Sequence, residues 1–171
     1  VSNNTVTSNS GIGIYIDACS SHVVINNTSD SNQYGIYVYQ PAASNNTIKN
    51  NTFNYSTLIG AEFANSGGNN TFADNTVASN ISDGVRLNNT IGNRLMRNIV
   101  RGNANNGVAF HPGSGGNVLT QNTIYSNVKY QIYLLNTSSD TIQKNNITPS
   151  PTNPDSGVYN QTGGTFDFTR N

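Results

Sequence analysis

Charge is scarce in this chain of 171 residues: Lys, Arg, Asp and Glu together make up 9%, and the formal net charge is zero. Without a basic face to neutralise phosphates, nucleic acid is not expected as a partner, and an anionic membrane surface is disfavoured for the same reason. No apolar run approaches the length that crosses a bilayer, and no secretory leader opens the sequence. The chain therefore reads as a secreted protein that has lost its leader, or as a segment of something longer. A single cysteine, Cys19, cannot staple the fold, and no histidine-plus-acid set surrounds it in sequence. It reads as a small side chain near a turn. The only histidines, His22 and His111, stand far apart and the eight acids are scattered, so neither a metal site nor a cofactor is expected.

What is abundant is neutral and polar: Asn, Ser, Thr and Gly. Such a composition on its own suits disorder, but the asparagines recur at fixed intervals, and a period of this size decides an architecture. One column reads His22, Asn46, Asn70, Asn93, Asn117, Asp140; a second reads Asn4, Asn27, Asn51, Asn75, Asn98, Asn122, Asn145; a third reads Asn9, Asn32, Ser56, Asn80, Asn103, Asn127. Apolar columns keep the same step. Two residues after the first column stand Val24, Ile48, Phe72, Leu95, Leu119 and Ile142; two after the second stand Val6, Ser29, Phe53, Val77, Val100, Ile124 and Ile147. A glycine column follows (Gly13, Gly35, Gly60, Gly84, Gly107, then Gln131), each with an alternating apolar segment behind it, as in Ile14 and Ile16 or Val85 and Leu87.

Alternation with a period of two, in β-branched and aromatic residues, is strand periodicity. A single coil cannot bury its apolar face, whereas coils stacked at ~4.8 Å bury a continuous core. Stacked asparagines can hydrogen-bond from coil to coil as a ladder. Asparagine also tolerates the left-handed backbone of a sharp corner, which is the expected reason for its place there.

The motif Asn-x-(Val/Ile/Leu)-x-x-Asn-x-x-x-x-Asn-x-x-x-Gly-(Ile/Val), clearest over Asn70–Gly84, Asn93–Gly107 and Asn117–Ile132, resembles the parallel β-helix repeat family. That family includes NosD-like periplasmic proteins, carbohydrate-binding and sugar-hydrolase-associated domains, mannuronan C5-epimerases and pectate lyases. The expected fold is all-β: a right-handed, single-stranded parallel β-helix (β-solenoid) of about seven coils of 23–24 residues over 1–147. Residues 148–171 are set apart by Pro149, Pro151 and Pro154, which cannot sit in a central ladder. They are expected to form an irregular exit and a strand that caps the stack or pairs between chains. The sequence starts inside a coil at Val1-Ser2-Asn3-Asn4 with no capping helix. Open ends invite self-association, end to end or side by side.

Function is written far less clearly, because one fold hosts many functions. The outward column Tyr15, Tyr37, Glu62, Arg86, Ala109, Tyr133, Tyr159 and its neighbour Asp17, Tyr39, Ala64, Asn88, His111, Leu135 share one face. Tyrosine offers a ring face and a hydroxyl to a sugar, so Tyr15, Tyr37, Tyr39, Glu62, Arg86, His111, Tyr133 and Tyr159 are the expected carbohydrate contacts. The bland alternative is that tyrosine simply suits a β surface, and that Glu62 and Arg86 form an ordinary exposed ion pair. Tyr133, His111, Arg86 and Glu62 are also the weak candidates for acid–base work on a uronate polymer. The family's Asp-Pro-His signature is absent, however: His111 stands in Phe110-His111-Pro112-Gly113. Coils this uniform leave little from which to build a pocket. The leading expectation is an extracellular or cell-surface module (or a periplasmic one) for structure, assembly or glycan contact, with a lyase or C5-epimerase as the alternative. Among the Asn-x-Ser/Thr sequons, many of which the repeat itself creates, the outward Asn54 and Asn136 are the best glycan acceptors.

Overall fold

The structure, a computed structural model, describes residues 1–162. Short parallel strands wind into a right-handed β-helix with three sheets, and each strand pairs with its counterparts one coil before and one coil after. One sheet contains the longest strands: Ile12–Asp17, Tyr34–Tyr39, Ile59–Ala64, Val85–Asn88, Val108–Phe110, Ile132–Leu135 and Val158–Gln161. The other two are built from three-residue strands, one running from Thr5–Thr7 to Asn146–Thr148, the other from Val23–Ile25 to Thr141–Gln143. The fold class read from the sequence is the fold observed.

The columns hold in three dimensions. Tyr37 lies between Tyr15 and Glu62, Arg86 between Glu62 and Ala109, and Tyr133 between Ala109 and Tyr159. The inward columns form one core with Phe53, Phe63, Phe72 and Phe110 wholly buried; Phe72 stacks on Phe53 and meets Phe63 edge-on. Ser29, the polar exception, satisfies its hydroxyl by donating to the Gly35 carbonyl at 2.7 Å.

Asn46, Asn70, Asn93 and Asn117 form one buried ladder that ends on Asp140; Asn27, Asn51, Asn75, Asn98 and Asn122 form a second that ends on Asn145. Each rung is doubly tied: Asn51 donates its backbone N–H and its Nδ2–H to the same Oδ1 of Asn75, at 2.8 and 3.1 Å. The second amide proton commonly reaches a carbonyl of the preceding coil, as Asn51 Nδ2 does to Val24 O, whereas that of Asn93 goes to Thr90 Oγ1 at 2.9 Å. A buried amide without such partners would destabilise the fold by about 1–3 kcal/mol.

One expectation is corrected here. The ladder asparagines do not occupy the left-handed corners; the residue before each of them does. Asn26, Asn50, Asp74, Arg97, Gln121 and Lys144, at φ between 54° and 59°, precede the rungs Asn27 to Asn145. The ladder positions demand asparagine for its paired donor and acceptor, and the corner tolerates many side chains because its N–H is held by the backbone of the next coil, as at Asn26, Asn50, Asp74 and Arg97.

One departure from the repeat has a direct explanation. The glycine column points inward, where a Cβ at Gly60 would lie 2.4 Å from Val77 and 2.6 Å from Asn80. Gln131 fits that column because it serves as the last rung itself, accepting Asn127 Nδ2–H at 2.7 Å through Oε1. The coils continue past residue 147: Ser150 and Asn153 form an antiparallel bridge in the proline-rich exit, and Val158–Gln161 adds a further parallel strand beside Ile132–Leu135. The expected capping or interchain strand over Thr165–Thr169 lies outside the described residues.

Candidate functional site

Three outward columns line the sheet of long strands. The two foreseen columns are joined by a third, at the position before each glycine: Tyr34, Ile59, Asp83, Asn106 and Tyr130. All of the predicted contact residues share this face, but they do not form an even, open stripe. Tyrosines gather at two ends. Tyr15, Tyr37 and Tyr39 stack with centroids 5.8 and 5.6 Å apart, with Tyr34 tilted against Tyr37 at 5.1 Å. Some four coils on, ~19 Å along the axis, Tyr133 stacks on Tyr130 and Tyr159 at 5.9 and 5.4 Å, and Lys129 reaches over Tyr130 and Tyr133. Tyr15 is 48% exposed.

Between the two groups the face is buried: Ile59, Glu62, Ala64, Asp83, Asn106 and Ala109 are each at most 5% exposed. The exposed Glu62–Arg86 pair foreseen from their spacing does not exist. Arg86 donates from Nε to Oδ2 of Asp83 at 2.8 Å, and its Nη2 lies 2.7 Å from the same oxygen as an ion pair. Oδ1 of the same fully buried carboxylate receives the Asn105 Nδ2, Asn106 N and Asn106 Nδ2 protons. Proximity within one coil decides the pairing: Asp83 sits three residues before Arg86 and has already been stripped of water. Glu62 makes no ion pair or hydrogen bond with a described residue, and burial raises its carboxyl above the ordinary range, against a smaller downward pull from Arg86. Burial and the Glu62 carboxylate push the Tyr37 phenol up to about 12. His111 is half-buried with its ring 6.1 Å from that of Tyr133. Burial and the Arg86 charge hold it below the usual imidazole range, against Asp83, so the imidazole is neutral near pH 7.

The turns beside this face also depart from expectation. The turn after Tyr39, through Gln40 and Pro41, is longer than its counterparts after Ala64 and Asn88. An open cleft of about 580 Å³ lies here, lined by Tyr39, Gln40, Asn65, Gly67, Asn89 and Ile91 among others. Turn residues vary from coil to coil, so nothing periodic announces this cleft; the only sequence signals are the extra turn residues and the pair Gly67-Gly68. Of the sequons, Asn136 is exposed at a left-handed turn, whereas Asn54 is half-buried and its Oδ1 accepts the Ala78 N–H at 2.9 Å. Among the described residues no three His, Cys, Asp or Glu side chains gather as metal ligands, and no helix is long and apolar enough to cross a membrane.

Residues 1–148 match the family described as "Right handed beta helix region". Among solved structures, the periplasmic alginate epimerase AlgG superposes with a TM-score of 0.77 at 22% identity, over 91% of this chain and 35% of that one. The mannuronan C-5 epimerase AlgE4 A-module of Azotobacter vinelandii gives 0.74 at 16% identity, over 98% of this chain and 55% of that one. ORF18 of Geobacillus virus E2 gives 0.69 at 14%, over 98% and 37%. The chain thus spans about a third to just over a half of these proteins, and at such identities the likeness is one of fold. No curated protein matches in sequence.

Proposed function

The chain belongs to the right-handed β-helix family, and on that premise we propose that it is a glycan-contacting β-solenoid that acts outside the cytoplasm. One observation supports this reading above the others: two groups of stacked tyrosines sit at opposite ends of one sheet face, so an extended polymer laid along the axis meets aromatic rings at both ends. The neutral net charge and the periplasmic setting of one structural relative, the alginate epimerase AlgG, favour an extracellular or periplasmic site of action. Affinity electrophoresis in gels that contain neutral or uronate polysaccharides tests it. The wild type should be retarded by at least one polymer, and Tyr15→Ala with Tyr133→Ala should restore free mobility. Unretarded migration in every gel would remove the reading.

A second reading, catalysis on uronate polymers, draws on His111 and Glu62. Their surroundings push a base toward its neutral form and an acid toward its protonated form, the divergence that acid–base catalysis uses. The binding reading is preferred because Arg86, which would have to neutralise a substrate carboxylate, is already held by Asp83. Incubation with polymannuronate separates the two: new unsaturated ends or inverted C5 centres would establish turnover.

A further inference from the structure

We propose that the cleft between the turns of the second, third and fourth coils is a subsite for a neutral sugar unit, an assignment that rests on the glycan-contact reading and narrows it. The cleft owes its shape to Gly67 and Gly68. A Cβ on Gly67 would lie 2.3 Å from Pro41 O, and one on Gly68 would lie 2.7 Å from Ile91 O. The third turn is therefore pressed between its neighbours at two residues that have no room for a side chain, and both glycines line the cleft as bare backbone. Tyr39, stacked on Tyr37 at 5.6 Å, continues the tyrosine group directly into this space.

The polar lining is a matched donor and acceptor. Asn89 donates from Nδ2 to Oδ1 of Asn65 at 2.8 Å. That bond orients both amides and leaves Asn65 Nδ2 as a donor and Asn89 Oδ1 as an acceptor, neither of them engaged by a described residue. The turn after His111 passes so close to Asn89 that a Cβ on Gly113, at φ +80°, would lie 2.4 Å from Asn89 Oδ1, which further limits the movement of this amide. An oriented amide pair that ends in a donor on one side and an acceptor on the other suits sugar hydroxyls, each of which both gives and accepts a proton. Ile91, 60% exposed, supplies an apolar patch for the C–H face of a pyranose. No charged residue lines the cleft. A uronate carboxylate would find no cation there and would lose hydration without compensation. The chemistry selects a neutral saccharide, in contrast to the anionic polymers named for the structural relatives.

Isothermal titration with a β-1,4-mannan hexasaccharide, a β-1,4-glucan hexasaccharide and an oligomannuronate of equal length tests this. Asn65→Gly and Asn89→Gly remove the amides while keeping left-handed backbones unstrained, and Tyr159→Leu alters the distant tyrosine group. A neutral hexasaccharide should bind wild type, and each cleft variant should weaken it by about tenfold, whereas Tyr159→Leu leaves cleft occupancy visible as protected Asn65 and Asn89 amide signals by NMR. If a neutral sugar binds with equal affinity to both cleft variants, or the uronate binds more tightly than either neutral sugar, the subsite is overturned while glycan contact stands. If none of the three binds, both readings fall.

Discussion

Asp83 holds Arg86 from within the same coil by a hydrogen bond from Nε at 2.8 Å and an ion-pair contact with Nη2 at 2.7 Å, although Glu62 lies directly beside Arg86 in the neighbouring strand. The wholly buried carboxylate also gathers three N–H donors from Asn105 and Asn106, so it is the hub of the face. Asp83→Asn keeps the size but turns an amide toward the guanidinium. The expected loss is about 3 kcal/mol, since three converging N–H donors lose their charged acceptor and Arg86 loses its ion-pair partner. Arg86→Met should cost less, because Asp83 keeps its three N–H partners. Urea denaturation measures both, and equal midpoints for the two variants would contradict the asymmetry.

Glu62 gives the face a pH signature. Its carboxyl ionises above the ordinary glutamate value of 4.5 in the folded state because burial disfavours the charge. Above pH 4.5 the unfolded chain releases this proton while the folded chain retains it, so stability from this group is full at low pH and is lost as pH rises through the folded value. Glu62→Gln should therefore match wild type in Tm at about pH 4 and exceed it at about pH 8. A variant that melts below wild type at the higher pH would show that the charge is stabilised in the fold after all.

Phe53 and Ser56 are matched in volume. At the other glycine positions a smaller side chain (Ser29, Val77, Val100 or Ile124) and a ladder asparagine fill the space, as Val77 and Asn80 do opposite Gly60; opposite Gly35 stand Phe53 and a residue too short to be a rung. The Ser56 hydroxyl is buried without a hydrogen bond. Ser56→Asn alone overpacks and Phe53→Val alone opens a cavity, each at a cost of about 1–3 kcal/mol. The double variant should recover most of that loss and complete the third ladder, a non-additivity that a double-mutant cycle reads directly.

Tyr55 occupies a left-handed corner at φ +54° and is 60% exposed, so it contributes little burial in return for its backbone strain. Tyr55→Asn should stabilise by about 1 kcal/mol, which for a chain of this size raises Tm by about 2–4 °C. Arg97, at φ +54°, is a contrasting case: its guanidinium pairs with Asp74 at 2.7 Å. Arg97→Asn should gain less or nothing.

What the sequence made legible was whatever repeats. The register that sets Tyr133 between Ala109 and Tyr159, the inward glycines and the rungs from Asn27 to Asn122 could all be read as columns, because stacking imposes the same requirement on every coil. Non-repeating features escaped. The left-handed corners at Asp74, Arg97 and Lys144 share a backbone angle but no side-chain chemistry, so the adjacent, uniform asparagines drew the assignment instead. Asp83 went unseen as the partner of Arg86 because its column holds Tyr34 and Ile59 in earlier coils and shows no pattern. The cleft beside Tyr39 arises from differences in turn length, and a reading by column averages such differences away.

The ladders and sheets also make the molecule mechanically anisotropic. The two ladders that end on Asp140 and Asn145, and the strands of all three sheets, join each coil to the next along the axis. A pull along that axis loads the coil–coil junctions in series, so the weakest yields alone and the chain unwinds one coil at a time. A shear across the axis loads all the hydrogen bonds of a junction together. A polymer laid along the tyrosine face runs parallel to the axis and spans the junctions between the two tyrosine groups, so it would share the first kind of load, the kind the solenoid resists least.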